Sequence, residues 1–414
     1  MKTPAQLVVF FFLAAVSTAT PPQVSAQDAA AAPKFSETKV KAEKGDAHAQ
    51  FDLGQHYFTG QGVERDYAEA LKWYRKAADQ NDAAAQHNLG LIYESGLGVE
   101  TNYVEAAKWY RKAAEGNVTV AQLTLGLLYN NGKGVEKDYA EAAKWYRIAA
   151  YRNNAQAQFD LGLLYCYGQG LEQDYAEAAK WFRKAADQDL VEAQYQLGLL
   201  LLTGKVGNRD YAEAAKWFRK AADQNKAAAQ VTLGMLYATG QGVKQDYAEA
   251  VKWSRKAADQ DKAEAQSNLG MLYANGQGVQ QDFAEAAKWY RKAANHNNAG
   301  AQCNLAVLLV NGQGVEKDYV EAAKWLKMAA VQNIANAQFN LGALYINGQG
   351  VERNHFEAYA WCSLAAGAMP EAAQMLPALE EKLTLDQMLA SRKRIKELRA
   401  LIDAKLKETA AKAP

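Results

Sequence analysis

Few residues of the chain match a catalytic motif. Ser36 and Lys39 fit S-x-x-K, in which a lysine assists a serine nucleophile in penicillin-recognising hydrolases. The match lies in a polar segment and has no S-D-N or K-T-G partner elsewhere. A cell-envelope hydrolase of the β-lactamase-like type therefore stays open as an alternative function. We favour the interpretation that Ser36 is a surface residue and that the protein is not an enzyme.

Other residues that often do chemistry also lack the required spacing. The five histidines form neither H-E-x-x-H nor a Cys/His zinc pattern: His48, His56, His87, His296 and His355. The loop Gly60-x-Gly62 lacks the third glycine of a dinucleotide fingerprint. The pair Glu69 and Lys72 recurs along the chain and is interpreted as a surface ion pair rather than an acid–base pair. We expect no metal and no cofactor.

The three cysteines do not form a disulfide framework. Cys166, Cys303 and Cys362 are an odd number and lie far apart in sequence. We therefore expect three small buried or half-buried side chains, and a fold that is stabilised by packing. The net charge does not indicate a partner either, because the 47 Lys and Arg residues nearly balance the 46 Asp and Glu residues. No net field would attract nucleic acid, so a nucleic-acid partner is not expected.

The first 26 residues have the features of a secretory signal peptide. Lys2 precedes the ten-residue apolar run 7–16, which is too short to span a bilayer comfortably. Small residues at 24–26 suit a signal peptidase, which would leave Gln27 as the new N-terminus. We expect a periplasmic or secreted protein without stable membrane insertion. An uncleaved membrane anchor is the alternative.

A repeat of 36 residues organises most of the chain. The nine tryptophans are each 36 residues from the next: Trp73, Trp109, Trp145, Trp181, Trp217, Trp253, Trp289, Trp325 and Trp361. Residues 49–372 divide into nine copies, and residues 34–369 contain no proline. With 49% hydrophobic residues, the composition argues against disorder, and the absence of proline argues against a β-sandwich.

Each copy predicts two helices. In the first copy, a helix over 47–59 is ended by Gly60-Gln61-Gly62-Val63, because glycine tolerates a left-handed backbone. Asp66 and Glu69 form the pattern of a capping box for a second helix that stops near Asn81. Residues 27–40 are expected to be a linker, and 41–48 a degenerate N-terminal half-repeat.

The pattern A-x-x-x-L-G-x-x-Y-x-x-G-x-G-V-x-x-D-Y-x-E-A-x-K-W-Y-x-K-A-A closely resembles the Sel-like repeat, a relative of the tetratricopeptide repeat. The resemblance covers about four fifths of the chain. It implies an all-α fold, an α/α right-handed superhelical solenoid that serves as a protein-interaction scaffold. Some cysteine-rich relatives are labelled β-lactamases, but they hold paired cysteines in every repeat, which this chain lacks.

Three copies depart from the pattern. Copy five reads Gly204-Lys205-Val206-Gly207, copy eight has Ala306 where the first helix otherwise has glycine, and copy nine has His355 for tyrosine. We expect local distortion or weaker packing at these points.

Residues 373–414 are predicted to form a capping helix and a tail. Pro370 and Pro377 are expected to break the array, and Thr384 with Gln387 forms another capping box. A helix is predicted over 385–406, with an apolar stripe that seals the last repeat: Met388, Ile395, Leu398 and Ile402. The basic run 392–394 is interpreted as a solvated face.

A helical wheel separates two faces of the first helix in each copy. Positions such as Ala49, Leu53 and Gly54 recur between copies and fall between about −20° and 140°, which predicts a packed face. The opposite side varies between copies yet stays rich in apolar and aromatic residues, so it predicts a binding surface in a concave groove. Ten residues are candidates for binding a protein or peptide partner: Phe51, Asp52, Phe58, His87, Asn88, Leu123, Phe159, Asp160, Tyr195 and Phe339.

Two readings of this variable face stay open. It could bind a partner, or it could pack on the neighbouring repeat and vary by drift. We favour a monomeric, non-enzymatic scaffold or adaptor that holds a partner along the groove.

Overall fold

A computed structural model describes residues 26–412, and side chains from 34 to 411. Within this range all regular secondary structure is helical, in 21 α-helices. The chain divides into two compact units, which we call the N-terminal unit (to Asp210) and the C-terminal unit (from Tyr211). Each unit is described by itself.

The N-terminal unit contains ten helices. They are α1 (Ala26–Glu43), α2 (Ala47–Thr59), α3 (Tyr67–Asp79), α4 (Ala83–Ser95), α5 (Tyr103–Glu115), α6 (Thr119–Asn131), α7 (Tyr139–Tyr151), α8 (Ala155–Tyr167), α9 (Tyr175–Ala186) and α10 (Val191–Thr203).

The C-terminal unit contains eleven helices. They are α11 (Tyr211–Asp223), α12 (Ala227–Thr239), α13 (Tyr247–Ala258), α14 (Ala263–Asn275), α15 (Phe283–Asn295), α16 (Ala299–Asn311), α17 (Tyr319–Ala330), α18 (Ala335–Asn347), α19 (His355–Ala365), α20 (Pro370–Glu380) and α21 (Leu385–Lys412).

Even-numbered helices from α2 to α18 are the first helices of the repeats, and odd-numbered helices from α3 to α19 are the second helices. Consecutive helices pack on one another from α1 to α10 and from α11 to α20, as in a helical-repeat solenoid, and α21 packs on α19. The predicted first helix is confirmed at both ends, because α2 covers Ala47–Thr59 and Gly60 ends it with φ 78°. The predicted packed face is confirmed by the burial of Ala49, Leu53 and Gly54.

The second helices begin and end on polar residues. Asp66 accepts hydrogen bonds from the backbone N–H groups of Ala68 and Glu69. The Glu69 carboxylate binds Lys72 at 2.5 Å, which confirms the predicted surface ion pair. Of the two hydrogen bonds of the predicted capping box, only the one accepted by the Asp66 side chain forms. An Asn or Asp in the left-handed conformation follows eight of the second helices, at positions equivalent to Asn81. These residues tolerate that backbone better than others do.

A buried glutamine joins successive repeats. Gln302 is fully buried, and its Nε2 donates to the Ala294 carbonyl at the end of α15 at 3.2 Å. The same side chain accepts from Gln332 Nε2 at 2.9 Å. An equivalent bond to the carbonyl eight residues earlier is made by Gln50, Gln86, Gln122, Gln158, Gln194, Gln230, Gln266 and Gln338. Each glutamine thus gives a second donor to a carbonyl that already accepts from the backbone N–H three residues later, as Ala294 does from Asn297.

The expected distortions occur in only part of the chain. In repeat eight the expectation was wrong: α16 keeps 13 residues and ends at Gly312 with φ 72°, as in its neighbours. In repeat five the loop does differ, because Gly207 takes φ 126° and no atom of another residue approaches its Cβ direction. In repeat nine, His355 begins α19, and its buried Nδ1 has no hydrogen-bond partner within the described part of the chain.

The C-terminal segment contains two helices, where the sequence predicted one. Pro370 begins α20, and Pro377 lies inside α20 without ending it. The capping box of α21 is confirmed, since the Thr384 and Gln387 side chains each accept from the other's backbone N–H. The helix continues beyond the predicted residue 406, to Lys412.

The predicted stripe of α21 packs on the last repeats. Leu398 and Ile402 are buried, Ile395 is half-buried, and Leu398 joins the core that contains Trp361. In the basic run, residues 392 and 393 are exposed, but Arg394 donates to the Glu357 carboxylate of α19 at 2.8 Å. The basic run is therefore solvated only in part.

The start of the described chain is helical. The segment 27–40, which we expected to be a linker, lies in α1, and α1 packs on α2. The candidate signal peptide lies, up to residue 25, outside the described residues. All three cysteines are free; Cys303 and Cys362 are buried and Cys166 is half-buried, as predicted.

Candidate functional site

The tryptophans serve the packing of the second helices. Six are buried: Trp109, Trp181, Trp217, Trp253, Trp289 and Trp361. The other three are half-buried. In several repeats a lysine of the next turn covers the ring, as Lys76 does over Trp73 at 3.8 Å from the ring centre. The six buried rings therefore offer little surface to a ligand.

The first helices have a side that no neighbouring helix covers fully. We call this surface the free face and define it by the positions of His48, Asp52, Gln55 and Thr59 in each repeat. These residues lie within about 60° of one another on the helix. In α2 they are exposed or half-buried, whereas Leu53 and Gly54 on the other side are buried.

One row of the free face is apolar. The positions equivalent to Gln55 are occupied by Leu91, Leu127, Leu163, Leu199, Met235, Met271, Val307 and Ala343. In the C-terminal unit, Met235 and Met271 are each 40% exposed and Val307 is 36% exposed. Apolar side chains at this exposure on consecutive first helices form a surface suited to a partner.

The adjacent row is polar in every repeat. The positions equivalent to Asp52 are occupied by Asn88, Thr124, Asp160, Gln196, Thr232, Asn268, Asn304 and Asn340. Asn88 donates to Gln55 Oε1 of the preceding repeat at 3.4 Å, and Tyr74 also binds Gln55. Asn304 hydrogen-bonds the Tyr290 phenol, whose pKa burial raises to about 12. The amides of Asn88 and Asn304 are therefore held in place by the Tyr74 and Tyr290 phenols behind them.

The predicted aromatic anchors lie at the edge of the free face. Phe51 packs on the Tyr74 ring at 5.8 Å, and Phe58 packs on Tyr67 at 5.4 Å. Phe159 meets Phe182 at 5.6 Å in the same way. All three are half-buried, so they support the second helix of their own repeat with one side of the ring.

The remaining candidates lie in similar surroundings. His87 packs on Tyr110 at 5.5 Å, and burial lowers the pKa of its imidazole. Leu123, Tyr195 and Phe339 are half-buried. The sequence wheel placed these side chains opposite the recurring positions, but it did not separate the free face from this aromatic edge. The sequence signal that separates them is a row that is polar in all nine repeats beside a row that is apolar in eight of them.

Asp160 differs from the rest of the polar row. Its Oδ1 accepts from Gln156 Nε2 at 3.0 Å, whereas the buried Oδ2 has no hydrogen-bond partner among the described side chains and backbone. Burial raises the pKa of the Asp160 carboxyl to about 7. The pKa of the buried Tyr146 phenol, in the preceding repeat, is raised first by burial and then by the negative charge of Asp160.

The described residues offer little support for catalysis. Ser36 and Lys39 lie on the exposed side of α1, with the neighbouring Thr38 buried. Within residues 26–412, no three His, Cys, Asp or Glu side chains are grouped as metal ligands. A hollow of about 280 Å³ beside Trp109 is lined by side chains of α5 alone. None of the described helices is long and apolar enough to cross a membrane.

Comparison with known proteins agrees with this repeat architecture. The Sel1 repeat model matches nine consecutive segments: 47–82, 83–118, 119–154, 155–190, 191–226, 227–262, 263–298, 299–333 and 335–368. The chain belongs to the Sel1 repeat family. Sel1 repeat proteins are generally protein-interaction scaffolds and are typically not catalytic.

Two solved Sel1 repeat structures are similar to this chain. One is c5321, described as a protective antigen of uropathogenic Escherichia coli strains; it is 30% identical, with a TM-score of 0.52 over 92% of this chain and 97% of its own. The other is a Sel1 repeat protein from Oxalobacter formigenes; it is 34% identical, with a TM-score of 0.59 over 75% of this chain and 90% of its own. No curated protein matches the chain.

Proposed function

We propose that this protein is a non-enzymatic scaffold that binds a segment of a partner protein along the free face of its first helices. The observation that carries the proposal is the exposed apolar row at Met235, Met271 and Val307, which lies beside a polar row on consecutive repeats. The membership of the Sel1 repeat family supports a role in protein interaction.

The two rows suit different parts of a bound segment. Methionine is flexible and polarisable, so Met235 and Met271 would adapt to apolar side chains of the partner. Asn268 and Asn304 carry both a donor and an acceptor, so their amides would pair with backbone groups of a segment that lacks its own secondary structure. Burial of the apolar row would supply affinity, and the amides would fix the position of the segment.

We propose further that the protein is exported by a signal peptide over residues 1–26. The support is the lysine-led apolar run 7–16 and the small residues at 24–26. Cell fractionation and N-terminal sequencing test this point. A mature chain that begins at Gln27 in the periplasm or medium would agree, and a cytoplasmic chain that keeps residues 1–26 would contradict it.

A pair of substitutions with a matched control tests the binding surface. Met235 and Met271 would both be changed to Ser, and Met328 would be changed to Ser as the control. Met328 has nearly the same exposure, 42% against 40%, but lies on the second helix α17. Because the three side chains are almost equally exposed, each substitution should change the melting temperature to a similar extent.

The readout is capture of envelope proteins by the immobilised full chain, after mild crosslinking. The double variant should capture at least about tenfold less of the specifically bound protein, since anchor residues dominate interface energy. The Met328 variant should capture as much as the parent chain. Equal capture by the parent and the double variant, with both folded, would contradict binding on the free face.

A further inference from the structure

Charge is divided unequally between the two kinds of helix. The nine first helices contain no lysine and no arginine, although the chain has 47 such residues. Five carboxylates lie on these same helices: Asp52, Glu94, Asp160, Glu192 and Glu264. Four of the five belong to the N-terminal unit. A segment that lies on the first helices therefore meets negative charge and no positive charge from them.

Among these carboxylates, Asp160 is the one with an unpaired, buried oxygen. The Glu94 carboxylate accepts from the Tyr110 phenol at 2.7 Å, and Asp52 lies 3.8 Å from His48. Asp160 Oδ2 has no partner in the described part of the chain, and only the half-buried Gln156 binds the other oxygen. An ionised carboxylate that loses water without gaining a donor is destabilising.

The repeat itself does not require an acid at this position. Four repeats have an asparagine at the equivalent position, and two have a threonine: Asn88, Asn268, Asn304 and Asn340, and Thr124 and Thr232. The first helix α8 that carries Asp160 is otherwise regular, with 13 residues and Gly168 at its end. Packing therefore does not explain why repeat four has a carboxylate where an isosteric amide fits.

We propose that Asp160 is the anchor for a lysine or arginine side chain of the partner segment that binds the free face. This inference rests on the proposed function and deepens it, because it states the chemistry of the partner. The cation would approach from the free face, displace the Gln156 side chain, and donate to the Asp160 carboxylate. A charge-assisted hydrogen bond in such a dry place is stronger than one in water.

The residues around Asp160 define what flanks the cation. On the free face of α8, Leu163 lies one turn beyond Asp160 and Tyr167 one turn further, with Tyr167 64% exposed. The apolar row continues on the neighbouring first helices with Leu127 and Leu199, both half-buried. The partner segment would thus place apolar side chains on either side of its lysine or arginine.

Selection from a phage-displayed random 12-residue peptide library tests the inference. The full chain would be the target, and selected peptides would be synthesised and titrated by fluorescence anisotropy. Asp160→Asn removes the charge and keeps the shape of the side chain. If that variant folds poorly, Asp160→Thr repeats the test, because threonine occupies the equivalent position in two other repeats, at Thr124 and Thr232. Glu316→Gln, in the exposed loop between α16 and α17, is the control for loss of a carboxylate that is not on the free face.

We expect the selected peptides to be enriched in lysine or arginine over the unselected library. Their affinity should fall at least about tenfold with Asp160→Asn, should fall with Tyr167→Ser, and should not change with Glu316→Gln. Two results would overturn this inference and leave the proposed function standing. In the first, the selected peptides lose affinity with Tyr167→Ser but are not enriched in lysine or arginine. In the second, they bind the Asp160→Asn chain as tightly as the parent chain. Failure to select any peptide would overturn both.

Discussion

The Cα atom of Gly270 lies directly against the ring of Tyr290. A Cβ built on Gly270 would come within 2.6 Å of the ring's Cδ1 atom, which no real packing allows. Gly54 and Tyr74, Gly90 and Tyr110, and Gly126 and Tyr146 show the same relationship. A glycine in the first helix therefore makes room for the aromatic ring of the second helix 20 residues later.

Repeat eight changes both partners together. Ala306 replaces the glycine, and Leu326 replaces the ring; the two residues are 0% and 1% exposed, so the site is still filled. The smaller leucine leaves space for the alanine methyl group. This explains why α16 is regular although the sequence pattern predicted distortion.

We predict that Gly270→Ala lowers the free energy of unfolding by about 1–3 kcal/mol, because overpacking a close contact strains its surroundings. Adding Tyr290→Leu should restore part of this loss, since it recreates the pair of repeat eight. Thermal unfolding of the two single variants and the double variant gives the coupling between the sites. Additive losses, without recovery in the double variant, would contradict the relationship.

The buried glutamines should stabilise the fold through the hydrogen bonds of their side chains. Gln302→Leu keeps the volume but removes the hydrogen bonds of this buried side chain to the Ala294 carbonyl, to Asn297 Oδ1 and from Gln332 Nε2. We expect a loss of about 1–3 kcal/mol, measured by urea unfolding. Gln241→Leu, at an exposed loop position, is the control and should have little effect. Equal effects of the two substitutions would show that the glutamine bonds contribute nothing specific.

Asp160 should make stability depend on pH in a defined direction. Burial raises its pKa from 3.8 to about 7, so between these values the folded chain holds a proton that the unfolded chain has released. The free energy of unfolding should therefore fall as pH rises from about 4 to 7. Asp160→Asn should remove this fall.

Above pH 7 the Asp160→Asn variant should be more stable than the parent by about 1 kcal/mol or more, or about 2–4 °C in melting temperature. Melting curves of both chains at pH 5 and pH 8 provide the check. A variant that is less stable than the parent at pH 8 would show that the carboxylate has a structural role instead.

Truncation of a repeat tryptophan should be costly. Trp217 is 7% exposed in the C-terminal unit, so Trp217→Ala should lower stability by about 3–5 kcal/mol. Calorimetry or circular dichroism would detect the shift. Replacement of Cys166, Cys303 and Cys362 by Ala should change stability less, because each is a free, small side chain. An unchanged melting temperature for Trp217→Ala would indicate that the ring contributes little to packing.

The sequence predicted the fold more fully than it predicted the surface. The bounds of α2, the glycine stops and the stripe of α21 followed from local signals, because glycine, capping residues and apolar periodicity act within a few residues. Two features depend on contacts that no local pattern encodes. Pro377 is tolerated inside α20, and Leu326 compensates for Ala306 from the next helix.

For the candidate site, the wheel separated the buried side of the first helix from its more open side, but it grouped Phe51 and Phe159 with the more open positions. In the structure, both rings pack against an aromatic ring of the second helix of their own repeat. Met235 and Met271 were not named from sequence, since an apolar residue at a recurring position suggests a core. Their exposure is visible only once the neighbouring helices are in place.

Site-specific photocrosslinking measures most directly whether a partner lies on the free face. Met271 and, separately, Met328 would be replaced by benzoylphenylalanine in the full chain, and each protein would be irradiated in envelope extracts. Because the two positions have nearly equal exposure, 40% and 42%, chance collisions should label both equally. The proposed function predicts a discrete adduct at position 271 and none at 328. Adducts of equal yield at both positions, or an adduct at 328 alone, would contradict it.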